Sequence, residues 1–221
     1  MKKSIAIDGP AGAGKSTIAK LVAKELGFIY VDTGAMYRAM ALYLIRKGTD
    51  REDEKAIEEA CRDADISIRY ADGIQHVYLM GEIVDDHLRT EEVGNMASVS
   101  SANAAVRQKL VDLQQKLAQR EDVVMDGRDI GTVVLPDSPC KIFLTASREV
   151  RAKRRYDELT QKGEKCDIKK IEDDINERDV RDMTRKNSPL RVADDAILID
   201  SSDMTIDQVK DEIIRYAKER F

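Results

Sequence analysis

The chain has 221 residues, of which 42% are hydrophobic and 36% are charged, and its formal net charge at pH 7 is −5. This composition supplies enough apolar side chains for a core and excludes a wholly disordered chain. The acidic balance, the 5% aromatic content and the absence of tryptophan argue against a nucleic-acid-binding module. The chain has only two histidines, which argues against a histidine-based catalytic triad. Its three cysteines include no CxxC pair, which argues against a structural zinc site.

The cysteine content and the hydropathy pattern also indicate where in the cell the protein is found. An odd number of cysteines argues against a disulfide framework and is typical of a reducing compartment. No apolar run approaches the roughly 18 residues that a transmembrane helix needs, and the first apolar run is too short for a signal peptide. We therefore expect a cytoplasmic protein that has no membrane or nucleic-acid partner, and separately we expect a monomer.

Short apolar runs alternate with helical patterns at the start of the chain. Ser4–Asp8 predicts a buried strand, and the apolar spacing over Lys15–Leu26 predicts a helix that ends at Gly27. Ile29–Asp32 predicts a second strand, and residues 34–47 predict a second helix. This alternation is typical of an α/β protein with parallel strands.

The middle of the chain has a different pattern. Residues 66–70 alternate apolar and polar side chains, and residues 77–80 form a second apolar run after a turn predicted at Asp72 and Gly73. Two such runs joined by a tight turn indicate an antiparallel hairpin. The rest of this insert is predicted as a short strand and two helices, over residues 80–84, 91–101 and 105–119.

The strand–helix alternation then returns. Strands are predicted over residues 122–126, 141–144 and 196–200, and helices over 148–161, 168–186 and 206–220. Residues 148–191 contain 14 Lys and Arg against 11 Asp and Glu, so this segment is cationic within an acidic chain. A local cationic patch on an acidic protein indicates a small anionic ligand.

Residues 9–16 match the pattern GxxxxGK[ST], directly after the first strand and at the start of an amphipathic helix. Glycines let successive backbone N–H groups converge on an anion, and the helix N-terminus adds its partial positive charge. Lys15 can span the β- and γ-phosphates, and the hydroxyl of Ser16 can ligate Mg²⁺. The motif therefore predicts a phosphate site for a nucleoside triphosphate.

Two more groups of polar residues follow predicted strands, where parallel strands open onto a ligand crevice. After the second strand, Asp32 is a candidate Mg²⁺ ligand and Arg38 a candidate phosphate ligand, whereas Thr33 either caps the helix or contacts a ligand. After the third strand, Asp126 is a further candidate for the Mg²⁺ shell. It is followed by Arg128 and Asp129, which either enter the crevice or lie solvated on a turn.

The cationic segment places its charges on helix faces. Arg148, Arg151 and Arg155 have the spacing of one face, with Arg154 beside it. On the next helix an apolar stripe begins with two isoleucines and continues with charged residues: Ile171, Ile175, Arg178, Asp182 and Arg185. A solvated face is the alternative, but charges in the direction of the core favour ligand contacts. So many cations around one nucleoside triphosphate indicate more phosphate than one nucleotide brings, as the transfer of a phosphoryl group from a donor to an acceptor requires.

Taken together, these motifs resemble the bacterial cytidylate kinase family of P-loop nucleoside monophosphate kinases. The resemblance covers essentially the whole chain. It includes IDGPAGAGKST, DTGAMYR, RTEEVGNMAS, DGRDIGTVV, KIFLTAS and ERDVRD, over residues 7–17, 32–38, 89–98, 126–134, 141–147 and 177–182. The phosphate loop alone is specific only to a superfamily, whereas its combination with DGRD and the central insert is specific to this family.

The resemblance implies a P-loop core with a five-stranded parallel sheet flanked by helices, over residues 1–62, 120–147 and 188–221. It further implies a monophosphate-binding insert that contains an antiparallel sheet, over residues 63–119, and a helical lid over residues 148–187. The implied activity is Mg²⁺-dependent transfer of the γ-phosphoryl group of ATP to CMP or dCMP in pyrimidine nucleotide metabolism. The products would be ADP and CDP or dCDP.

The same resemblance assigns roles to individual residues. ATP would be held by the phosphate loop, namely Gly9, Pro10, Ala11, Gly12, Ala13, Gly14, Lys15, Ser16 and Thr17. The acceptor nucleotide would be bound by Thr33, Arg38 and Arg128 on its phosphate side, by Ser98, Arg107 and Asp129 around cytosine, and by Arg178, Asp182 and Arg185 near its sugar, base or phosphate. The catalytic cations would be Lys15, Arg128, Arg151 and Arg155, and the candidate Mg²⁺ ligands are Ser16, Asp32 and Asp126.

Two other functions stay open at this point. One is a P-loop kinase for another small acceptor, such as UMP or a non-nucleotide alcohol, which the insert and the DGRD loop disfavour. The other is a nucleotide-dependent switch protein. The guanine-reading NKxD pattern of GTPase switches is missing, since Lys186 and Asn187 are not followed by a suitably placed aspartate.

Overall fold

The structure, a computed structural model, describes residues 2–71 and 74–221. It forms two compact units, one made of the residues up to 30 together with 122–221, and the other made of 31–121. The turn predicted at Asp72 and Gly73 lies outside the described residues. The division into core, insert and lid stays a prediction. The compact units group residues 31–62 with the predicted insert, and residues 148–187 with the predicted core.

Regular elements follow one another closely along the described chain. In order they are β1 (Ser4–Asp8), α1 (Lys15–Leu26), β2 (Ile29–Asp32), α2 (Thr33–Arg46), α3 (Glu54–Asp63), β3 (Ile66–Ala71), β4 (Ile74–Leu79), β5 (Glu82–Ile83), α4 (Glu91–Ser100), α5 (Ala104–Arg120), β6 (Val123–Gly127), β7 (Cys140–Thr145), α6 (Arg148–Gln161), α7 (Ile168–Thr184), β8 (Ile197–Asp200) and α8 (Ile206–Arg220). A 3₁₀ turn, Asp85–His87, follows β5, and a π-helical turn, Ile130–Val134, follows β6.

The α/β prediction is confirmed by a five-stranded sheet in the order β2-β6-β1-β7-β8. The central strand β1 is buried along its whole length and pairs in parallel with β6 and β7. In this register Ile7 lies opposite Asp126, and Asp8 lies opposite Gly127. The carboxyl ends of β1 and β6 are therefore level, so the phosphate loop and the DGRD loop leave adjacent strands at the same edge of the sheet.

The core of the first unit lies between this sheet and helices α1 and α8. The helical stripe predicted from Ile18 and Val22 packs with Ile5, Ile7 and Ile213, all of them at least 95% buried. Burying each such side chain contributes about 1.5–3 kcal/mol, so this layer holds the strand that precedes the phosphate loop. Gly27 ends α1 in the left-handed conformation, as the sequence predicted.

The second unit contains the antiparallel sheet β3-β4-β5 with helices α2 to α5, and the predicted hairpin is confirmed by the pairing of β3 with β4. Helix α3 was not predicted, because its 10 residues carry only two buried side chains, Ile57 and Cys61. Asp53 caps this helix by accepting hydrogen bonds from two backbone N–H groups.

The interpretation of Thr33 as a helix cap is wrong. Helix α2 begins at Thr33, and the cap is Asp32, whose carboxylate accepts a 2.8 Å hydrogen bond from the N–H of Ala35. A carboxylate at the last position of a strand can reach the exposed N–H groups of the next turn, so the cap falls one residue earlier.

Candidate active site

The phosphate loop has backbone conformations that its glycines allow. Gly9 has a φ of +148°, and a Cβ at this position would lie 1.9 Å from the carbonyl oxygen of Leu144, so no larger residue fits. Gly14, with a φ of +85°, stands at the N-terminus of α1. The loop therefore runs directly into a helix N-terminus, which is the arrangement that binds phosphate.

Lys15 is buried, which its place in a polar loop motif does not predict. Its Nζ donates a 2.7 Å hydrogen bond to the carbonyl oxygen of Pro10 within the same loop. Burial, followed by repulsion from Arg128, lowers the pKa of Lys15, and nearby carboxylates, chiefly Asp126 and Asp8, oppose this shift. A bound phosphate would supply negative charge that favours the ammonium form.

The candidate Mg²⁺ ligands of the first unit meet at the end of β6. The hydroxyl of Ser16 donates a 2.8 Å hydrogen bond to Oδ2 of Asp126, and the hydroxyl of Tyr30 donates one of 2.8 Å to Oδ1. Hydroxyl and carboxylate oxygens are the hard ligands that Mg²⁺ prefers. Ser16 and Asp126 therefore fit a magnesium ion that takes its other ligands from phosphates and water.

No group of three or more His, Cys, Asp or Glu residues that could hold a metal occurs within residues 2–71 and 74–221. The third candidate ligand, Asp32, lies in the second unit, where its carboxylate caps α2 and forms an ion pair with Arg38 at 3.4 Å. Its role toward Mg²⁺ stays a prediction.

Asp8 is a residue of the site that sequence reasoning missed. It is buried at the end of β1, and its two carboxylate oxygens accept hydrogen bonds of 2.8 and 2.7 Å from the N–H groups of Ile130 and Gly131. The carboxylate thus holds the turn that follows Arg128 and Asp129. The signal in the sequence was a charged residue at the end of an apolar strand, directly before Gly9.

Burial raises the pKa of Asp8 to about 6 from an ordinary value of 3.8, and the two backbone hydrogen bonds oppose this shift. Between these values the folded state binds more protons than the unfolded state, so stability falls as the pH rises. We expect the free energy of unfolding of the native chain, relative to that of Asp8→Asn, to fall by up to about 3 kcal/mol between pH 4 and pH 7.

Urea unfolding of both proteins at the two pH values measures this difference. The Asn variant is the control, because it lacks the titrating group and keeps nearly the same shape. A difference between the two proteins that does not change with pH would contradict the raised pKa of Asp8.

Two of the predicted acceptor-binding arginines of the first unit are paired with aspartates. Nε of Arg128 donates a 2.8 Å hydrogen bond to Asp182, and Arg185 lies 3.7 Å from Oδ1 of Asp129. Arg185 and Asp129 have side chains that are only 7% and 6% exposed. The structure therefore brings together four of the residues that the sequence predicted for substrate binding.

The arginines of α6 do not share one environment. Arg151 is buried, whereas Arg155 is exposed and pairs with Glu158 at 2.8 Å, and Arg148 is also exposed. Arg154 donates hydrogen bonds to the hydroxyl and carbonyl oxygens of Ser201. Helical spacing alone therefore did not reveal that Arg151 faces inward.

The predicted continuation of the α7 stripe is wrong at one position. Ile171 and Ile175 are buried as expected, but the next buried residue is Asp179, and Arg178 is exposed. The three buried residues of α7 are each four positions apart, so the stripe continues from Ile175 to Asp179 and not to Arg178. The proposed contact of Arg178 with the sugar stays a prediction, as does that of Asp182.

The second unit holds the remaining predicted substrate ligands. Thr33 is buried, and Arg38 contacts Asp32 through Nη2. Arg107 is buried, lies 5.5 Å from the ring centroid of Tyr37 and donates a 3.2 Å hydrogen bond to the carbonyl oxygen of Ser101. The last of these ligands, the half-buried Ser98, is in the adjacent turn of α4.

Helices that could span a membrane would be long and apolar. Within residues 2–71 and 74–221, none is both long enough and apolar enough to cross a bilayer.

Comparison with known proteins identifies relatives over nearly the full length. The family model described as Cytidylate kinase matches residues 5–219. A cytidylate kinase of Caldicellulosiruptor bescii is 52% identical over 97% of this chain and 95% of its own, and one of Lactobacillus johnsonii is 50% identical over 93% and 89%. An uncharacterized protein from Eubacterium ventriosum has a similar crystal structure, with a TM-score of 0.54 and 18% identity over the whole of both chains.

Proposed function

Because the chain belongs to the cytidylate kinase family, we propose that it transfers the γ-phosphoryl group of ATP to CMP or dCMP with the help of Mg²⁺. The main support is the edge of the sheet where the phosphate loop and the DGRD loop leave adjacent strands. Lys15, Ser16 and Asp126 stand at this edge, and so do Arg128 and Asp129. The resemblance assigns donor and acceptor contacts to these two loops.

In this reaction Lys15 would exchange its hydrogen bond with Pro10 for the phosphates of ATP. The lysine would keep its charge there, because the phosphates replace the solvation that burial removes. Arg128 would exchange part of its contact with Asp182 for an acceptor phosphate. An arginine that stays ionised and offers two parallel donors both orients that phosphate and lowers its repulsion toward ATP.

Mg²⁺ held by Ser16 and Asp126 would neutralise charge on the β- and γ-phosphates. The protein's own contribution is to keep the hydroxyl and the carboxylate adjacent. Tyr30 supports this arrangement, because its hydroxyl donates to Asp126 at the oxygen that Ser16 does not use. Ser16 would turn its oxygen from the carboxylate toward the ion.

The test of the proposed function is ADP production from ATP with each of CMP, dCMP, UMP, AMP and GMP, with and without Mg²⁺. We expect rapid turnover only with CMP or dCMP, and only when Mg²⁺ is present. Turnover of UMP alone would instead support a kinase for another acceptor. Slow ATP hydrolysis that no acceptor accelerates would support a nucleotide-dependent switch.

The helices α6 and α7 form the predicted lid, and we propose that they close on the bound substrates. They pack against each other through Ala152, Ile171 and Ile175, so they can move as one body, and Gly163 lies in the loop between them with a φ of +79°. Closure would exclude water and limit wasteful hydrolysis of ATP.

Amide hydrogen exchange measures this motion. Exchange across residues 148–185 should slow when ATP and CMP are both bound and should slow less with either nucleotide alone. Helix α8 is the internal control, because it belongs to the sheet-bound core. Unchanged exchange in α6 and α7 at saturation would exclude a lid that closes on substrate.

A cytoplasmic location and a monomeric state complete the proposal. The location rests on the sequence alone, since three cysteines without a CxxC pair are typical of a reducing compartment. Light scattering of the protein as it leaves a size-exclusion column, with and without nucleotides, measures the oligomeric state.

A further inference from the structure

One buried ion pair joins the two helices of the predicted lid to the phosphate loop. Nη1 of Arg151 on α6 lies 2.6 Å from Oδ2 of Asp179 on α7, and both side chains are at least 90% buried. The same Nη1 donates a 2.8 Å hydrogen bond to the carbonyl oxygen of Ala11, and Oδ1 of Asp179 accepts one of 3.1 Å from the N–H of Ala11. Both backbone groups of this loop residue are therefore bound by the pair.

The neighbouring residue of the loop is packed against the same helices. A Cβ on Gly12 would lie 3.2 Å from Cβ of Arg151 and 3.6 Å from Cδ1 of Ile175. At its φ of +75° a side chain would also strain the backbone. The tip of the phosphate loop thus contacts α6 and α7 through close packing as well as through hydrogen bonds.

The pair also fixes the direction of the arginine. Nε of Arg151 donates a 3.0 Å hydrogen bond to the carbonyl oxygen of Ala146, while Nη1 is used by Asp179 and Ala11. No hydrogen bond from Nη2 occurs in the part of the chain that the structure describes. The guanidinium group is therefore held through Nε and Nη1, and Nη2 takes no part in holding it.

Stability does not account for this ion pair. Removing two charges from water is costly, and apolar residues of similar size are often equally stable in such a place. The surrounding contacts between α6 and α7 are apolar, formed by Ala152, Ile171 and Ile175 with Tyr156 and Leu159. A charged pair in this position is better explained by what it does to Ala11 and Arg151.

We propose that Asp179 is a positioning residue of the donor site, which sets the phosphate loop for ATP through Ala11 and orients Arg151 toward the transferred phosphoryl group. This inference rests on the proposed function for the identity of the nucleotide. It assigns to Asp179 a role that neither the helical pattern nor the resemblance suggested. It also makes the geometry of the phosphate loop depend on the position of α7.

The test compares Asp179→Asn with Asp173→Asn, an exposed aspartate on the same helix. ATP binding is measured by calorimetry without an acceptor, so the result does not depend on phosphoryl transfer to CMP. We expect Asp179→Asn to weaken ATP binding at least fivefold, because an amide has a single acceptor oxygen and cannot hold both the N–H of Ala11 and Nη1 of Arg151. CMP binding to the same variant and ATP binding to Asp173→Asn should change less than twofold.

Steady-state kinetics then separate positioning from a structural role. Positioning predicts a higher KM for ATP with an unchanged KM for CMP, in a variant that a thermal melt shows to be folded at the assay temperature. Equal loss of ATP and CMP binding, or unchanged ATP binding in a folded variant, would overturn the proposal. Asp179→Ser, which leaves room for water at Ala11, is the second variant, and failure of both to fold would make Asp179 a folding residue instead.

If the native protein bound ATP but did not phosphorylate CMP, the proposed function would fail while the role of Asp179 in the ATP site stood.

Discussion

Replacing Lys15 by alanine should lower kcat by at least about a hundredfold and leave the fold intact. Its ammonium group is the cation of the phosphate loop, and removing one group that stabilises charge in a transition state typically costs about 3–4 kcal/mol. The fold should tolerate the change for two reasons. The Nζ hydrogen bond of Lys15 goes to Pro10 within the same loop, and the lysine is a buried charge. A buried cation is costly to desolvate, so its removal does not remove a net stabilising contact.

The measurement is ADP production with saturating ATP and CMP, alongside a thermal melt of the variant. Lys24→Ala is the matched control, because Lys24 is an exposed lysine in the last turn of the same helix. It should retain native activity. Turnover near the native rate in a folded Lys15→Ala protein would exclude the role assigned to this lysine.

Replacing Asp129 by alanine should reduce the ratio of kcat/KM for CMP to that for UMP by at least about tenfold, or roughly 1.4 kcal/mol. Cytosine carries an amino group at C4, which a carboxylate can accept, whereas uracil carries a carbonyl there. A carboxylate that faces the uracil carbonyl would leave both acceptors without a donor, and a site rejects a near-isostere in this way. Asp129 is buried on the DGRD loop, as this role requires.

The alternative is that Asp129 holds arginine side chains in position and does not contact the base. It forms an ion pair with Arg185, so its loss could also release that side chain. In that case CMP and UMP should lose activity equally, and base selection would have to be assigned to Ser98 and Arg107. Asp137→Ala, which removes an exposed carboxylate from the segment before β7, is the control and should leave the ratio unchanged.

The local pattern of the sequence was sufficient for most of the fold. The buried run Ser4–Asp8, the phosphate-loop motif and the stripe of α1 are each encoded by neighbouring residues, and the structure confirms them. Helix α3 was missed because only Ile57 and Cys61 are buried on it, too few to reveal a period. The cap of α2 was misplaced by one residue, because Asp32 and Thr33 both belong to the types that cap helices.

The sequence by itself determined which motifs this protein carries: the phosphate loop, the DGRD loop and the arginine-rich helices. The tertiary structure alone decided which charges work in pairs. Asp8 lies 122 positions from Ile130 along the chain, and Asp179 lies 168 from Ala11, yet each carboxylate accepts a hydrogen bond from that partner's N–H group. Such contacts depend on how strands and helices pack, which no periodicity within a single element encodes.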